Sequence, residues 1–381
     1  MNNFKHWHLL DARAVWVKEF AGALSREVDL QNWLPEISWT GYFKDTGKTS
    51  KHDNPPLSLN HFSLQRGFAK WPFRLVCDEG KRIAKRLRKK TIDESKTVLL
   101  CISPQYAAVA EAWKGPVIYW MTDLYCAYGD DPAFITACDR RICHRANLVC
   151  PISERCKDYL VEKAHCALEK IAISQTATRS SNILASPLLH PGDLPADIAD
   201  LPRPIIGVIG NLAANMDWLF LHSAIKKLPG YSWVFVGPTD MNIPDTAYRQ
   251  ARAELQAKGG SVRFVGYKPY HQLAGYAQCF DVALLPYRKV EPTYSGSSTR
   301  FFEHLAACRP MYATDGFAML LSKEPLVHLV YDVDSFVKQV KELSNKGFMD
   351  GVEMDRWKAS HSETWEARAT AMREEIGRRM S

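Results

Sequence analysis

Gly296, Ser297, Ser298 and Thr299 stand in a row ahead of Arg300 and Glu303, within a stretch that reads YSGSSTRFFEHLAACRPMYAT from Tyr294 to Thr314. A glycine lets main chain come close to a ligand, successive hydroxyls offer donors, and an arginine pairs with phosphate oxygens. From about Ser297 the pattern is helical. The free N–H groups of that helix start, together with its dipole, favour a phosphate. Glu303 lies one turn on, where a carboxylate repels phosphate but is suited to accept hydrogen bonds from a ribose diol. Small hydroxyl residues also cap helices with no ligand involved, and an acid near a helix start suits the dipole. Glu303 does not stand three residues after a Ser or Thr, however, so it is not half of a capping box.

These residues need a frame to aim them. An apolar run, FDVALLP (280–286), precedes them and RPMYAT (309–314) follows. Further strand-like runs are PIIGVIG (204–210), YSWVFVG (231–237), SVRFVG (261–266) and LVHLVY (326–331), with helical patterns over 214–228, 245–258, 270–278 and 297–307. Short apolar strands alternating with helices predict a parallel sheet covered on both faces, a doubly wound, Rossmann-like domain. In such a sheet ligands bind beyond the carboxyl ends of the strands, and the loop 287–296 leaves one of those ends. The first half repeats the pattern less clearly, with strands at 97–102, 116–123 and 147–153 and helices at 105–113, 132–145 and 154–164. A strand near His8–Ala12 and a helix over Val15–Glu27 complete a second α/β domain. The stretch 186–204 holds five prolines and reads as a linker.

With 381 residues, 46% of them hydrophobic and 24% charged, the chain suits two globular domains. No apolar run is long enough to span a membrane, and the N-terminus lacks the layout of an export signal. The ten cysteines include no C-x-x-C pair and several sit in apolar runs, which predicts buried reduced thiols, no metal site and a cytoplasmic location. The net charge of +7 is concentrated in KRIAKRLRKK, where Lys81, Arg82, Lys85, Arg86, Arg88, Lys89 and Lys90 occur without an acid. Read as a helix, Ile83 and Leu87 share one face and the bases cover the rest, either as a solvated face or as a patch for anionic lipid or a phosphorylated acceptor. No nucleic-acid motif accompanies the charge. DTGKTS (45–50) ends like a phosphate-binding loop, but five residues, not four, separate Gly41 from Gly47, and no buried strand precedes it.

The run Glu303-His-Leu-Ala-Ala-Cys-Arg-Pro310-Met-Tyr-Ala-Thr314 resembles the nucleotide-sugar signature of GT-B glycosyltransferases, in particular the retaining Glu–x7–Glu group. The second Glu of that motif, which binds the donor ribose, falls on Glu303, and the first falls on Ser295. Arg300 matches a variant with a base three residues before the Glu. GVIGN, with Gly210 and Asn211, sits where the family has a glycine-bearing loop; the basic pair that often follows is missing, with Asp217 nearby instead. FVGP, with Gly237, and the segment from 264 to 286 also resemble the family, whose loop at Tyr267 touches the base.

The resemblance implies two Rossmann-like domains: 1–190 for the acceptor, a linker at 191–203, and 204–353 for the nucleotide sugar. A C-terminal helix over 354–381, with Trp365, crosses back to the first domain. It implies transfer of a sugar from a nucleotide diphosphate donor, uridine being the expected base, onto a glycan or lipid-linked acceptor at the inner membrane face, with no metal or other cofactor. If the reaction inverts the anomeric centre, a base in the first domain is needed, and Asp123, closing PVIYWMTD, is the candidate; Asp11 and Arg13 rank behind it. His6 and His8 read as core or surface residues. Two alternatives share the fold: a nucleotide-sugar 2-epimerase, and an inactive subunit that only binds.

Overall fold

The computed structural model describes residues 4–37, 59–64, 73–129, 131–187 and 191–381, so DTGKTS lies outside the described residues. The chain forms two units, Met1–Thr176 with Trp365–Ser381, and Ala177–Thr364.

The first unit contains β1 (His6–Leu10), α1 (Val15–Leu24), β2 (Asp29–Ile37), β3 (Leu59–Leu64), α2 (Phe73–Arg88), β4 (Thr97–Cys101), α3 (Ala107–Ala112), β5 (Val117–Met121), α4 (Pro132–Arg145), β6 (Leu148–Pro151) and α5 (Glu154–Glu162). Its strands lie in the order β3-β2-β1-β4-β5-β6, all parallel. β4 (TVLLC) and β5 (VIYWM) are buried at every position, as a sheet covered on both faces requires. Asp131 starts α4 by accepting from the N–H groups of Ala133 and Phe134 at 3.0 and 3.1 Å, with Pro132 at the first helical position. Ser153 caps α5 in the same way, through Cys156 N–H at 3.1 Å.

The second unit contains β7 (Ile205–Ile209), α6 (Trp218–Lys227), β8 (Ser232–Val236), α7 (Thr246–Lys258), β9 (Val262–Gly266), α8 (Leu273–Cys279), β10 (Val282–Leu285), α9 (Thr299–Ala307), β11 (Met311–Ala313), β12 (His328–Leu329), α10 (Val333–Ser344) and α11 (Glu353–Ser362). The strand order β12-β11-β10-β7-β8-β9 is the same topology again. One face of the sheet packs Trp233 and Phe235 against Phe301, Leu305 and Phe336. The other packs Ile205 and Val234 against Tyr276 and Phe280. The proline-rich stretch adds Ile198 and Leu201 to that second face. The C-terminal segment is helical in two pieces: α11 stays with the second unit, and α12 (Trp365–Met380) lies on the first. There it packs on α1 and pairs with the turn that follows it, through Arg26–Glu366 at 2.8 Å and Arg373–Glu27 at 2.6 Å.

Both sheets are doubly wound, and in each the chain direction along the sheet reverses between its first and fourth strands. Two crevices result at carboxyl strand ends, one beyond β1 and β4 and one beyond β7 and β10.

Asp350 fastens α11 to the edge of the second unit. It accepts from His328 at 2.8 Å and from both terminal nitrogens of Arg356 at 2.9 and 2.6 Å, and Arg356 is 0% exposed. Burial opposes the charge of Asp350, but the hydrogen bonds from His328 and Arg356 outweigh it and hold the carboxyl well below its usual range. A depressed carboxyl stabilises the fold above the unfolded-state pKa of about 3.9 and stops doing so as pH falls through the folded value. Asp350→Asn therefore lowers stability by about 3–5 kcal/mol at neutral pH, because it leaves a buried guanidinium unpaired. Denaturant unfolding should show this deficit shrinking as pH drops below about 4.

Candidate functional site

Three loops meet beyond β7, β8 and β10. Gly210 ends β7 with its N–H on the carbonyl of Val236 at 3.0 Å, and Gly237 ends β8 with its N–H on Gly266 at 2.9 Å. Gly237 has φ 145, and a Cβ there would stand 1.7 Å from the carbonyl oxygen of Gly210. A Cβ on Gly210 would stand 2.9 Å from the hydroxyl of Tyr287. Main chain thus touches main chain at this corner. The segment after Gly210 is stitched to the loop after β10: Arg288 N–H donates to Asn215 at 2.8 Å, the side chain of Asn215 donates to Thr293 at 3.4 Å, and Met216 bridges Tyr287. Asn211 is exposed. Asp217 accepts from Phe220 N–H at 3.0 Å, so it caps α6 rather than standing in for a missing base.

α9 begins at Thr299 with Ser298 as its cap, whose oxygen accepts from Phe301 N–H at 3.3 Å. That oxygen is thereby engaged, while Ser297 and Thr299 stay half-buried. Gly296 packs closely on its own loop, an added Cβ meeting the main-chain oxygen of Thr293 at 3.3 Å. Phe301, Phe302 and Leu305 face the core, which turns Arg300 and Glu303 to the same side. Arg300 donates to Oε2 of Glu303, the two side chains being 23% and 3% exposed. Oε1 of Glu303 is buried and has no hydrogen-bond partner among the described residues. Burial works against the charge of Arg300, but Glu303 outweighs it and raises its pKa. Burial pushes the Tyr287 hydroxyl beside them up to about 12. His304 is fully buried and held down to about 3, by burial first and the charge of Arg300 second, so its ring is neutral.

Ser295, at the place of the first Glu of the motif, is 3% exposed. Its N–H and hydroxyl both donate to the carboxylate of Glu291, at 3.2 and 2.8 Å. An acid is therefore present beside this position, carried by a residue four places upstream. Sequence reading also missed Arg179, which stacks over the ring of Tyr270 at 4.7 Å; Tyr270 in turn acts electrostatically on Arg300. Arg179 lies too far upstream for any local spacing to flag it. Tyr267 is 65% exposed on the loop after β9.

In the first unit, Asp123 follows β5 and is half-buried. Its Oδ1 accepts from Leu124 N–H at 2.9 Å and its Oδ2 from the hydroxyl of Tyr128. Asp11 stands at the crevice between β1 and β4 with φ 74. It accepts from the hydroxyl of Tyr106 at 2.8 Å and from Arg13 at 2.6 Å. His6 is at the surface beside Asp29, at 3.0 Å, whereas His8 is buried between Thr91 and Trp33 at 2.8 and 2.9 Å. Burial lowers the pKa of His8 to about 4. On α2, Ile83 and Leu87 are buried, as the spacing predicts. Three of the seven bases find acids from outside the run: Lys81 with Asp78, Arg82 with Glu79, and Arg88 with Glu94. Lys85, Arg86, Lys89 and Lys90 are exposed. No group of His, Cys, Asp and Glu among the described residues is arranged to hold a metal.

No protein-family model matches the sequence, and no curated protein does. Solved structures match over the full length. A glycosyltransferase from Rickettsia africae ESF-5 superposes with a TM-score of 0.70 at 13% identity, covering 99% of each chain. Sucrose-phosphate synthase from Thermosynechococcus elongatus gives 0.68 at 14% identity, again covering 99% of each. Anabaena HepE, in complex with UDP and glucose, gives 0.64 at 13% identity, covering 99% of this chain and 98% of that one. At these identities the likeness shows the fold, and this chain has the two-domain GT-B fold.

The glycine corner yields a direct test. Gly237→Ala forces a methyl group into the Gly210 carbonyl, so the β7 and β8 ends must separate, and stability falls by about 2–4 kcal/mol. Denaturant unfolding of the variant beside the parent measures the loss.

Proposed function

We propose that this protein is a glycosyltransferase that takes its sugar from a nucleotide diphosphate donor, uridine being the expected base. The observation that carries the reading is the pairing at the start of α9. The Oε1 of Glu303 is buried with no hydrogen-bond partner among the described residues, beside Arg300 and one turn into a helix that starts at a carboxyl-end crevice. A buried acceptor of this kind matches the paired hydroxyls of a ribose. Arg300 and the helix start match the diphosphate, and they stabilise its charge as it departs. The solved structures that share the fold support the same reading, since HepE is seen with UDP and glucose.

In this reading Tyr267 lies by the base and the Gly210 and Gly237 main chain by the diphosphate. The acceptor is a glycan or lipid-linked sugar, met by the first unit. Asp123 is the candidate base there, with Tyr128 as the group that orients it. The exposed part of α2 docks the protein on anionic lipid at the inner membrane face. Among the described residues no helix is long and apolar enough to cross a membrane, so docking would be peripheral. No metal is required.

Four measurements test this. A thermal-shift series against nucleoside diphosphates and their sugars should raise Tm with the cognate donor, and turnover with added acceptor separates transfer from donor epimerisation or binding alone. Glu303→Ala should weaken donor binding by about 10–100-fold by calorimetry, the loss expected for hydrogen bonds to a charged group; Tm of the ligand-free variant falls as well, because Arg300 loses its partner, so the affinities are compared at a temperature where both proteins are folded. Asp123→Asn should cut turnover by about 10²–10⁴-fold with donor affinity unchanged. Replacing Lys85, Arg86, Lys89 and Lys90 by Glu should release the protein from vesicles of phosphatidylserine, since each base near such a surface contributes about 1 kcal/mol; equal sedimentation with the vesicles rejects the docking.

A further inference from the structure

In the crevice of the first unit, Asp11 gives its carboxylate to its own neighbours. Arg13 grips it side-on, Nε on Oδ1 and Nη2 on Oδ2 at 2.6 Å, and the hydroxyl of Tyr106 adds a bond to Oδ2 at 2.8 Å. Asp11 and Tyr106 are 7% and 2% exposed, whereas the Arg13 side chain is 58% exposed. The main chain fixes the same corner: Asp11 N–H donates to Trp33 O at 2.7 Å, and Arg13 N–H to Asp11 O at 2.8 Å. A guanidinium carries five N–H donors in a rigid fork. Two are given to Asp11, and the other three have no hydrogen-bond partner among the described residues. α1 begins just after, with no acid in its first turn to compete for them. A buried carboxylate thus holds a half-exposed arginine in one orientation, with one edge uncommitted. Sheet register sets this corner beside Asp123. Leu10 pairs with Cys101, so Asp11 is level with Ile102. The carbonyl of Ile102 accepts from the Tyr125 hydroxyl at 2.9 Å, and Tyr125 lies two residues beyond Asp123. Arg13 and Asp123 therefore stand at one mouth, beyond β1, β4 and β5.

We propose that Arg13 binds a phosphate carried by the acceptor, and that Asp11 and Tyr106 are positioning residues that aim it. The inference rests on the glycosyltransferase reading and narrows its acceptor to a phosphorylated one. Two phosphate oxygens match the open edge of the fork through parallel N–H···O bonds, a geometry that a lysine cannot reproduce. The acceptor is then held by its phosphate, and its sugar hydroxyl is left for Asp123. Asp11, with three donors on its two oxygens, acts through Arg13 rather than as a base.

Calorimetry on the full chain, with UDP in excess to occupy the second unit, measures binding of glucose 6-phosphate, of glucose, and of a polyprenyl phosphate in neutral detergent micelles. The parent should bind at least one of the phosphates, and glucose at least about 10-fold more weakly. Which phosphate responds distinguishes a soluble acceptor from a lipid-linked one. Arg13→Gln should weaken that phosphate by about 10–100-fold and leave UDP affinity as in the parent. Arg13→Lys, which keeps the charge but not the fork, should fall between. Asp11→Asn, an exchange that a left-handed backbone tolerates, should weaken phosphate binding less than Arg13→Gln does. In turnover with the responding acceptor, both Arg13→Gln and Asp11→Asn should raise KM for the acceptor by more than they lower kcat. No binding of either phosphate, equal binding of glucose, or unchanged phosphate affinity in Arg13→Gln would overturn the proposal. So would a fall in kcat of about 10²-fold or more in Asp11→Asn, the mark of a base. If UDP does not bind while phosphate binding still depends on Arg13, the donor assignment falls and the Arg13 site stands.

Discussion

Arg300 and Glu303 share one turn of a helix whose other side is fixed in the core by Phe301, Phe302 and Leu305. That arrangement leaves the carboxylate no freedom to swing into water. One of its oxygens is satisfied by the guanidinium and the other faces nothing among the described residues. A buried acceptor without a partner costs about 1–3 kcal/mol, and a fold keeps such a feature only where the surrounding packing dictates it. Here the packing does so: α9 is clamped between the β-sheet and α11, and its start is set by the Ser298 cap. The rest of the second unit serves this corner. The strand order brings the loops after β7 and β10 together, and Asn215, Met216 and Arg288 lock them to each other.

Much of this frame was legible because parallel sheets write themselves as unbroken apolar runs. All six strands read in the second unit are present, and so are β4, β5, β6 and the helices between them. β2 and β3 were not readable. β2 runs DLQNWLPEI, with Gln31, Asn32 and Pro35 breaking the apolar pattern, and β3 runs LNHFSL, which is as polar as a loop. α10 follows the last strand, and its apolar face (Phe336, Val337, Val340, Leu343) has the helical spacing that marks it in the sequence. Within the site, Gly296 to Glu303 could be found since a helix start gathers consecutive residues. Arg179, Tyr270, Tyr287 and the carboxylate of Glu291 could not, because only the folded chain brings them to the same neighbourhood.

The first unit repeats the strand order and furnishes its crevice differently. Its ends carry side chains in place of bare glycine: Asp11 in a left-handed conformation, Arg13 paired with it, and Tyr106 anchoring both. In the same unit Asp139, fully buried, accepts from the hydroxyls of Tyr119 and Tyr159 at 2.7 and 2.8 Å, and burial lifts it to about 7. That network ties α4 and α5 to β5, the strand that leads into Asp123. One architecture thus supports two mouths of unlike chemistry, and the close main-chain contact of Gly210 with Gly237 belongs to the second.

The glycine corner of the second unit carries a consequence of its own. Where Gly210 and Gly237 touch, any ligand meets amides and carbonyls that every polypeptide possesses. Such a surface has no letters to rewrite. Point mutation there cannot tune preference among related molecules; it can only destroy the seat. Divergence toward new substrates is thereby channelled outward, to the exposed rim that Tyr267 and Asn211 occupy, where a changed side chain leaves the foundation untouched.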